Sequence, residues 1–240
     1  MLDVTLNTDF AQVEADDEQI NLTRFSLFFP EKRTFFQERA DLFRFRLPGK
    51  LQLLFHSRTI GIVEGKSVPI IDGVRLTGRM RNWELGFMEM QTAETDVEGE
   101  KIASENFGVL RLKRQLKSDG SYIGGMITSR TDFKGNYNFL IAADADIRLK
   151  GLHYFKFHLA RSVEPGSDPT KSLMGALILH SLVQRGFIYG LTAMHIGREF
   201  NPRMGFLFRV GINRIAGRVG YTWFPEKSGS IQNHGFTNTV

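Results

Sequence analysis

From about residue 69 onward, apolar and polar residues alternate along the chain with a period of two. In residues 139–149 every odd position is apolar, whereas Asp144, Asp146 and Arg148 occupy even positions. The same alternation recurs over residues 155–159. Because successive side chains of a strand point to opposite faces, this pattern predicts β-strands with one apolar face.

Turn signals rich in Gly, Asn and Asp separate the alternating runs and define about ten predicted strands, most of them 9–14 residues long. Strands of ordinary globular proteins average about 5–6 residues, whereas a tilted strand that crosses a bilayer needs about 9–11. Strand length therefore favours membrane-spanning hairpins. The predicted strands lie near residues 69–80, 83–91, 106–116, 121–130, 136–149, 152–161, 171–183, 187–197, 203–213 and 215–224.

The fold class that follows is all-β, an antiparallel up-and-down transmembrane β-barrel. No stretch approaches ~18 uncharged apolar residues, so a transmembrane helix is not predicted. We expect an irregular N-terminal segment at residues 1–68 and barrel strands at 69–240, and we leave open whether ten strands form a complete barrel. The alternative is a soluble β-barrel or sandwich, which shows the same alternation with its apolar face inside.

On the barrel interpretation, apolar positions face lipid, aromatic residues near strand ends form interfacial girdles, and charged positions face the lumen. The outward positions are Phe139, Ile141, Ile147, Phe155, Phe157, Met204, Phe206, Phe208 and Val219, and the girdle positions are Trp83, Tyr137, Tyr154, Tyr221 and Trp223. The lumen-lining candidates are Arg75, Arg79, Arg111, Lys113, Asp144, Asp146, Arg148, Lys156, His158, His180, Arg209 and Arg218.

Composition and charge exclude several kinds of functional site. The 240 residues carry a formal net charge of +5 and no cysteine, which excludes a disulfide scaffold, a Cys-ligated zinc site and a thiol nucleophile. The basic residues alternate with apolar ones on strands and form no basic cluster, so we do not expect a nucleic-acid partner. Histidines are scattered, and we predict no metal site and no cofactor.

Asp144 and Asp146 are the one pair of carboxylates with a spacing of catalytic interest. Positions two apart on one strand face lie ~6.5–7 Å apart at Cα, a separation that suits a carboxylate pair in glycoside hydrolysis. A charged aqueous lumen explains the same residues, with Arg148 beside them. We favour that explanation and assign no catalytic residue.

Residues 28–36 read Phe-Phe-Pro-Glu-Lys-Arg-Thr-Phe-Phe, and a run with Asn7, Asp9 and Phe10 precedes them. This part of the chain resembles the start of the C-terminal domain in a family of bacterial outer-membrane proteins of unknown function. In that family a carbohydrate-binding-like domain of the family-nine type usually precedes a large β-barrel. The motif positions that carry the resemblance are Phe28, Phe29, Pro30, Glu31, Lys32, Arg33, Phe35 and Phe36.

The resemblance implies a location in the bacterial outer membrane and a lipid partner. The first residues, Met1 to Val4, have no basic or apolar signal region, so we expect the export signal to lie upstream. The N-terminal segment is expected in the barrel mouth or lumen, where Glu31, Lys32 and Arg33 would pair with charges such as Asp144 and Arg148.

For function, we expect a non-enzymatic pore or uptake component for polar or glycan-derived solutes. Two alternatives stay open: a barrel-embedded hydrolase that acts on glycans, and a soluble β-barrel binding module. The oligomeric state also stays open.

Overall fold

The structure is a computed structural model that describes residues 2–6, 27–49, 52–63, 65–97, 99–117, 119–224 and 234–239. Its elements are strand β1 (Leu2–Leu6), the short helices α1 (Thr34–Gln37) and α2 (Ala40–Phe43), a 3-10 turn (Ser57–Thr59), and strands β2 (Ile62–Val63), β3 (Lys66–Ser67), β4 (Ile70–Met80), β5 (Trp83–Thr92), β6 (Thr95–Val97), β7 (Glu100–Ile102), β8 (Asn106–Gln115), β9 (Tyr122–Thr131), β10 (Tyr137–Arg148), β11 (His153–Val163), β12 (Leu173–Ser181), β13 (Gly186–Ile196), β14 (Ile212–Trp223) and β15 (His234–Thr239).

One antiparallel sheet of eleven strands dominates the fold, in the order β1-β4-β5-β8-β9-β10-β11-β12-β13-β14-β15. The all-β class and the up-and-down topology are therefore confirmed. Nine of the ten predicted strands coincide with β4, β5 and β8 to β14, and β1 extends the sheet from within the predicted N-terminal segment. Among the described residues the sheet is not closed, since β1 and β15 each have a neighbour on one side only.

The strand predicted at residues 203–213 is wrong over most of its length, because β14 begins only at Ile212. Residues 203–211 form turns and bends that run beside Leu53, whose backbone exchanges two hydrogen bonds of 2.8 and 2.7 Å with Phe206. A Cβ on Gly205 would lie 2.5 Å from the Leu53 carbonyl oxygen, so only glycine allows this approach. Consequently Met204 is buried and Phe206 packs edge-on against Phe28, and neither side chain faces outward.

The two faces of the sheet differ sharply in their surroundings. We call covered face the one that packs against residues 27–49, 52–62 and 197–211, and open face the opposite one. The covered face contributes Met88, Met90, Val109, Met126, Leu140, Ala142, Ala160, Met174 and Met194 to a core completed by Phe36, Phe43, Phe45, Leu54, Ile60, Phe200 and Met204. Burying one such large side chain stabilises a fold by about 1.5–3 kcal/mol, so this contact holds the segment on the sheet.

The open face is apolar and exposed. Its charged residues in the described strands, Asp72, Glu89, Arg114 and Arg161, all lie within four positions of a strand end. Between them the face presents Leu76, Leu112, Ile123, Ile127, Phe139, Ile141, Leu159, Leu177, Leu191, Ile215 and Val219, each more than a third exposed. None of the helices in the described part of the chain is long and apolar enough to cross a membrane.

Candidate functional site

A buried ion pair spans three strands of the covered face. Both guanidinium nitrogens Nη1 and Nη2 of Arg111, on β8, donate to the carboxylate of Asp144, on β10, at 2.7 and 2.6 Å. Gly124 of β9 lies between them, and the Tyr122 hydroxyl donates to the same carboxylate at 3.1 Å. The side chains of Arg111 and Asp144 are almost fully buried, so the pair is shielded from screening by solvent.

A second ion pair follows on the same face, nearer to the connection between β10 and β11. Lys156 donates to Asp146 at 2.6 Å, and both side chains are about one-third exposed. Each of the two carboxylates singled out in the sequence is thus held by its own cation. This arrangement is typical of an ionic surface, and it leaves neither carboxylate as an unpaired acid or base.

The stretch that covers these pairs has its own period of two. Phe43, Phe45 and Leu47 are buried against the sheet, whereas Arg44 and Arg46 between them are exposed. Neither arginine is among the predicted site residues, although the alternation across residues 43–47 is a local signal that places both on one side of the stretch. The guanidinium of Arg111 lies 5.0 Å from the centroid of the Phe45 ring, which adds a cation–π contact to the pair below.

Between this stretch and the covered face lies a polar cleft of about 380 Å³. Two histidines line it: His158 of β11 is nearly fully buried, and its Nδ1 has no hydrogen-bond partner among the described residues. His180 of β12 stacks on Tyr154. The lining residues are Asp41, Arg44, Arg46, Leu47, Pro48, Lys113, Tyr122, Asp144, Ala145, Asp146, Lys156, His158, Ile178 and His180.

The N-terminal segment is docked by two arginines. Arg75 of β4 pairs with the carboxylates of Asp3 and Glu38 at 2.8 and 2.6 Å, and it also donates to the carbonyls of Phe35 and Glu38. It therefore ties β1, β4 and the connection between α1 and α2 together.

Arg33 is the second arginine that holds the N-terminal segment, and its partners differ from those expected from the sequence. It pairs with Glu31 at 2.8 Å and donates to the carbonyls of Ile60 and Ser57. Burial alone would raise the pKa of Glu31, but the hydrogen bonds and charge of Arg33 hold that pKa below its usual value. The expected pairing of Glu31 and Arg33 with Asp144 and Arg148 is therefore wrong, because Glu31 and Arg33 pair with each other and Asp144 pairs with Arg111.

The remaining residues predicted to line the lumen or form the girdles differ in where the structure places them. Arg79, Arg148 and Arg218 have the register of the covered face, but Arg79 is exposed at the end of β4 and Arg148 donates to the Gly151 carbonyl in a turn. Arg209 lies in the loop before β14 and not on a strand, because the predicted strand is absent there. Tyr154 points to the covered face, so it cannot belong to an outward girdle.

Within the described ranges, no group of three or more His, Asp and Glu residues is arranged to hold a metal ion. A family model described as Domain of unknown function (DUF5916) matches residues 1–98, which include the motif at residues 28–36. No curated protein and no solved structure matches the chain. The likeness to a family of unknown function thus rests on the N-terminal 98 residues.

Proposed function

We propose that the sheet is part of the wall of an outer-membrane β-barrel, with its open face against lipid, and that the protein is a pore or uptake component for polar solutes. In this arrangement residues 27–49 and 52–62 occupy the inside of the wall. The observation that carries the proposal is the distribution of charge between the two faces of one continuous sheet.

The open face supports the lipid contact. A soluble protein rarely exposes a continuous apolar surface across many strands, because contact between apolar surface and water costs free energy. Here the exposed apolar residues continue from β4 to β14, whereas Arg75, Arg111 and Lys156 all point to the covered face. Such a sheet is suited to a position with hydrocarbon on one side and a wet, ionic interior on the other.

Strand and connection lengths support the same proposal. Strands β4, β5 and β8 to β14 have 9–12 residues, and a bilayer crossing needs about 9–11. Connections at one end of the sheet are shorter on average, as is typical of outer-membrane barrels. Between β4 and β14, the shorter set is 81–82, 116–121, 149–152 and 182–185, and the longer set is 93–105, 132–136, 164–172 and 197–211.

Two adjacent residues of β14 allow a direct test. Val219 has the register of the open face and Arg218 that of the covered face, and both are exposed. In a background with Trp83→Phe and Trp223→Phe, we would introduce Val219→Trp and Arg218→Trp separately and reconstitute each full chain into vesicles. Fluorescence quenching by brominated lipid should be strong for Val219→Trp and weak for Arg218→Trp, and aqueous iodide should give the reverse order.

Equal quenching of the two variants by brominated lipid, or iodide access to Val219→Trp in vesicles, would overturn the lipid contact. A monodisperse soluble monomer without detergent would instead support the binding-module alternative. Solute passage is tested by swelling of the same vesicles in sugars of increasing size, and no swelling above protein-free vesicles would overturn the pore.

A further inference from the structure

The polar cleft over β8 to β12 has an excess of positive charge that its own carboxylates do not neutralise. Asp144 forms an ion pair with Arg111, and Asp146 forms one with Lys156. Of the remaining charged residues that line the cleft in the described part of the chain, Arg44, Arg46 and Lys113 are cationic and Asp41 alone is anionic.

Lys113 lies where a solute would meet this excess. Its ammonium donates only a long hydrogen bond of 3.3 Å to the Asp41 carbonyl and lies 5.6 Å from the centroid of the Tyr122 ring. In the described part of the chain it has no carboxylate within ion-pair distance, and the same holds for Arg44 and Arg46. Three cations therefore retain free donors beside one cavity.

His158 is a further polar residue in the wall of the cleft. Its side chain lines the cleft and is 93% buried, since its relative exposure is 7%, yet its Nδ1 makes no hydrogen bond to any described residue. A buried polar atom without a partner is costly, and such atoms are commonly satisfied by a ligand or by ordered water. The volume of about 380 Å³ lies within the usual range of about 300–1,000 Å³ for small-molecule sites.

We propose that this cleft binds a small oxyanion, the carboxylate or phosphate group of a polar solute. Lys113, Arg44 and Arg46 hold the negative charge, and His158 lies in the wall beside them. The cleft lies toward the end of the sheet with the shorter connections, since Lys113, Tyr122 and Lys156 are close to that end of their strands. The site deepens the proposed function, on which its role in solute passage rests.

Binding is measured by calorimetry on the full chain in detergent micelles, with inorganic phosphate, glucuronate and glucose as probes. Glucuronate and glucose have nearly the same size and differ in the carboxylate, so glucose is the uncharged control. Phosphate distinguishes a phosphate site from a carboxylate site. We expect at least one of the two anions to bind about tenfold more tightly than glucose, and the affinity to fall as salt increases.

Arg46→Gln is the principal variant, because the side chain is exposed and its loss leaves the fold intact. It should weaken anion binding about tenfold, as should Lys113→Met, whereas Lys134→Gln, in an exposed turn away from the cleft, should leave binding unchanged. A circular dichroism spectrum identifies any variant that fails to fold.

Anion binding no tighter than that of glucose, or binding that Arg46→Gln and Lys134→Gln affect equally, would overturn the site. Because the measurement is made without a bilayer, its failure is distinguishable from failure of the lipid contact, which the vesicle quenching reports.

Discussion

Arg111 reaches across Gly124 to Asp144, so that two charged side chains on β8 and β10 meet over a residue of β9 that has no side chain. A Cβ at Gly124 would lie 2.9 Å from Asp144 Oδ1 and 3.0 Å from Arg111 Nη1. The ion pair and the glycine below it are therefore one structural unit. It lies beneath Phe45, and Asp144 of this unit lines the polar cleft.

Gly124→Ala should disturb this unit, because the new methyl group would also lie 2.9 Å from the Leu112 carbonyl oxygen, and backbone cannot move aside cheaply. We expect the free energy of unfolding, measured by urea titration in detergent micelles, to fall by about 1–3 kcal/mol. Gly125→Ala is the matched control, since its nearest contact would be an ordinary 3.5 Å. Equal losses for the two variants would contradict the role of Gly124.

Asp144→Asn removes the charge that Arg111 needs while it keeps the shape of the side chain. A buried guanidinium left without its partner should lower the free energy of unfolding by about 3–5 kcal/mol. Replacing both residues, Arg111→Met with Asp144→Leu, should recover most of that loss, because no buried charge remains. Glu105→Gln breaks the more exposed pair with Arg130 and should cost about 0–1 kcal/mol in the same titration.

Ile141→Arg places a charge in the middle of the open face, where Ile141 is 59% exposed. If that face meets hydrocarbon, the change should cost about 2–4 kcal/mol of stability in vesicles, whereas Thr131→Arg near a strand end should cost about 0–1 kcal/mol. Urea unfolding of the reconstituted chains followed by fluorescence gives both values. A cost for Ile141→Arg no larger than that for Thr131→Arg would count against burial of this face in lipid.

Arg75→Met should release the N-terminal segment from the sheet without unfolding the sheet itself. The variant removes the contacts to Asp3, Phe35 and Glu38 together. Hydrogen exchange followed by mass spectrometry should accelerate at least about tenfold in α1 and α2 and remain slow in β9 to β12. Arg79→Met, on the same strand and the same face but with a 64% exposed side chain, is the control that should change neither.

The folded N-terminal segment should also lose stability in mild acid, because it contains the buried His56. Burial lowers the pKa of His56, although the Phe29 carbonyl that accepts its Nε2–H opposes this effect. The folded state therefore prefers the neutral ring, while the unfolded chain takes up a proton near its usual pKa of 6.5. The stabilising contribution is complete above pH 6.5 and is lost as the pH falls through the lower folded value.

The check is the difference in free energy of unfolding between the wild type and His56→Gln from pH 7.5 to 5. That difference should shift against the wild type as the pH falls, and the facing charges Glu31, Arg33 and Arg58 are unchanged in both proteins. A difference that stays constant with pH would show that His56 does not titrate on unfolding.

Much of the fold was accessible from the sequence because strand alternation is a local property. Residues 139–149 assign each side chain to one of two faces whatever else the chain does. For this reason nine observed strands lie within a few residues of their predicted ends. Register also places Arg75, Arg111, Asp144, Asp146 and Lys156 on one face, as their alternation predicts.

The strand prediction failed where apolar and polar residues alternate outside a strand. Residues 203–211 alternate like a strand but form turns and bends, in which the Phe206 backbone hydrogen-bonds to Leu53, and no local signal separates this from a strand. The docking of Phe43 and Phe45 on the sheet was equally inaccessible, since it joins residues that are distant along the chain.

By itself, then, the sequence determined the class of the fold, the strands and the two faces of each strand, since these follow from the period of side chains along one backbone. Only the tertiary structure decided which face is covered, what covers it, and that Arg111 meets Asp144 above Gly124. Those relationships depend on how eleven strands and a folded-back segment share space, and each of them joins side chains that no local period connects.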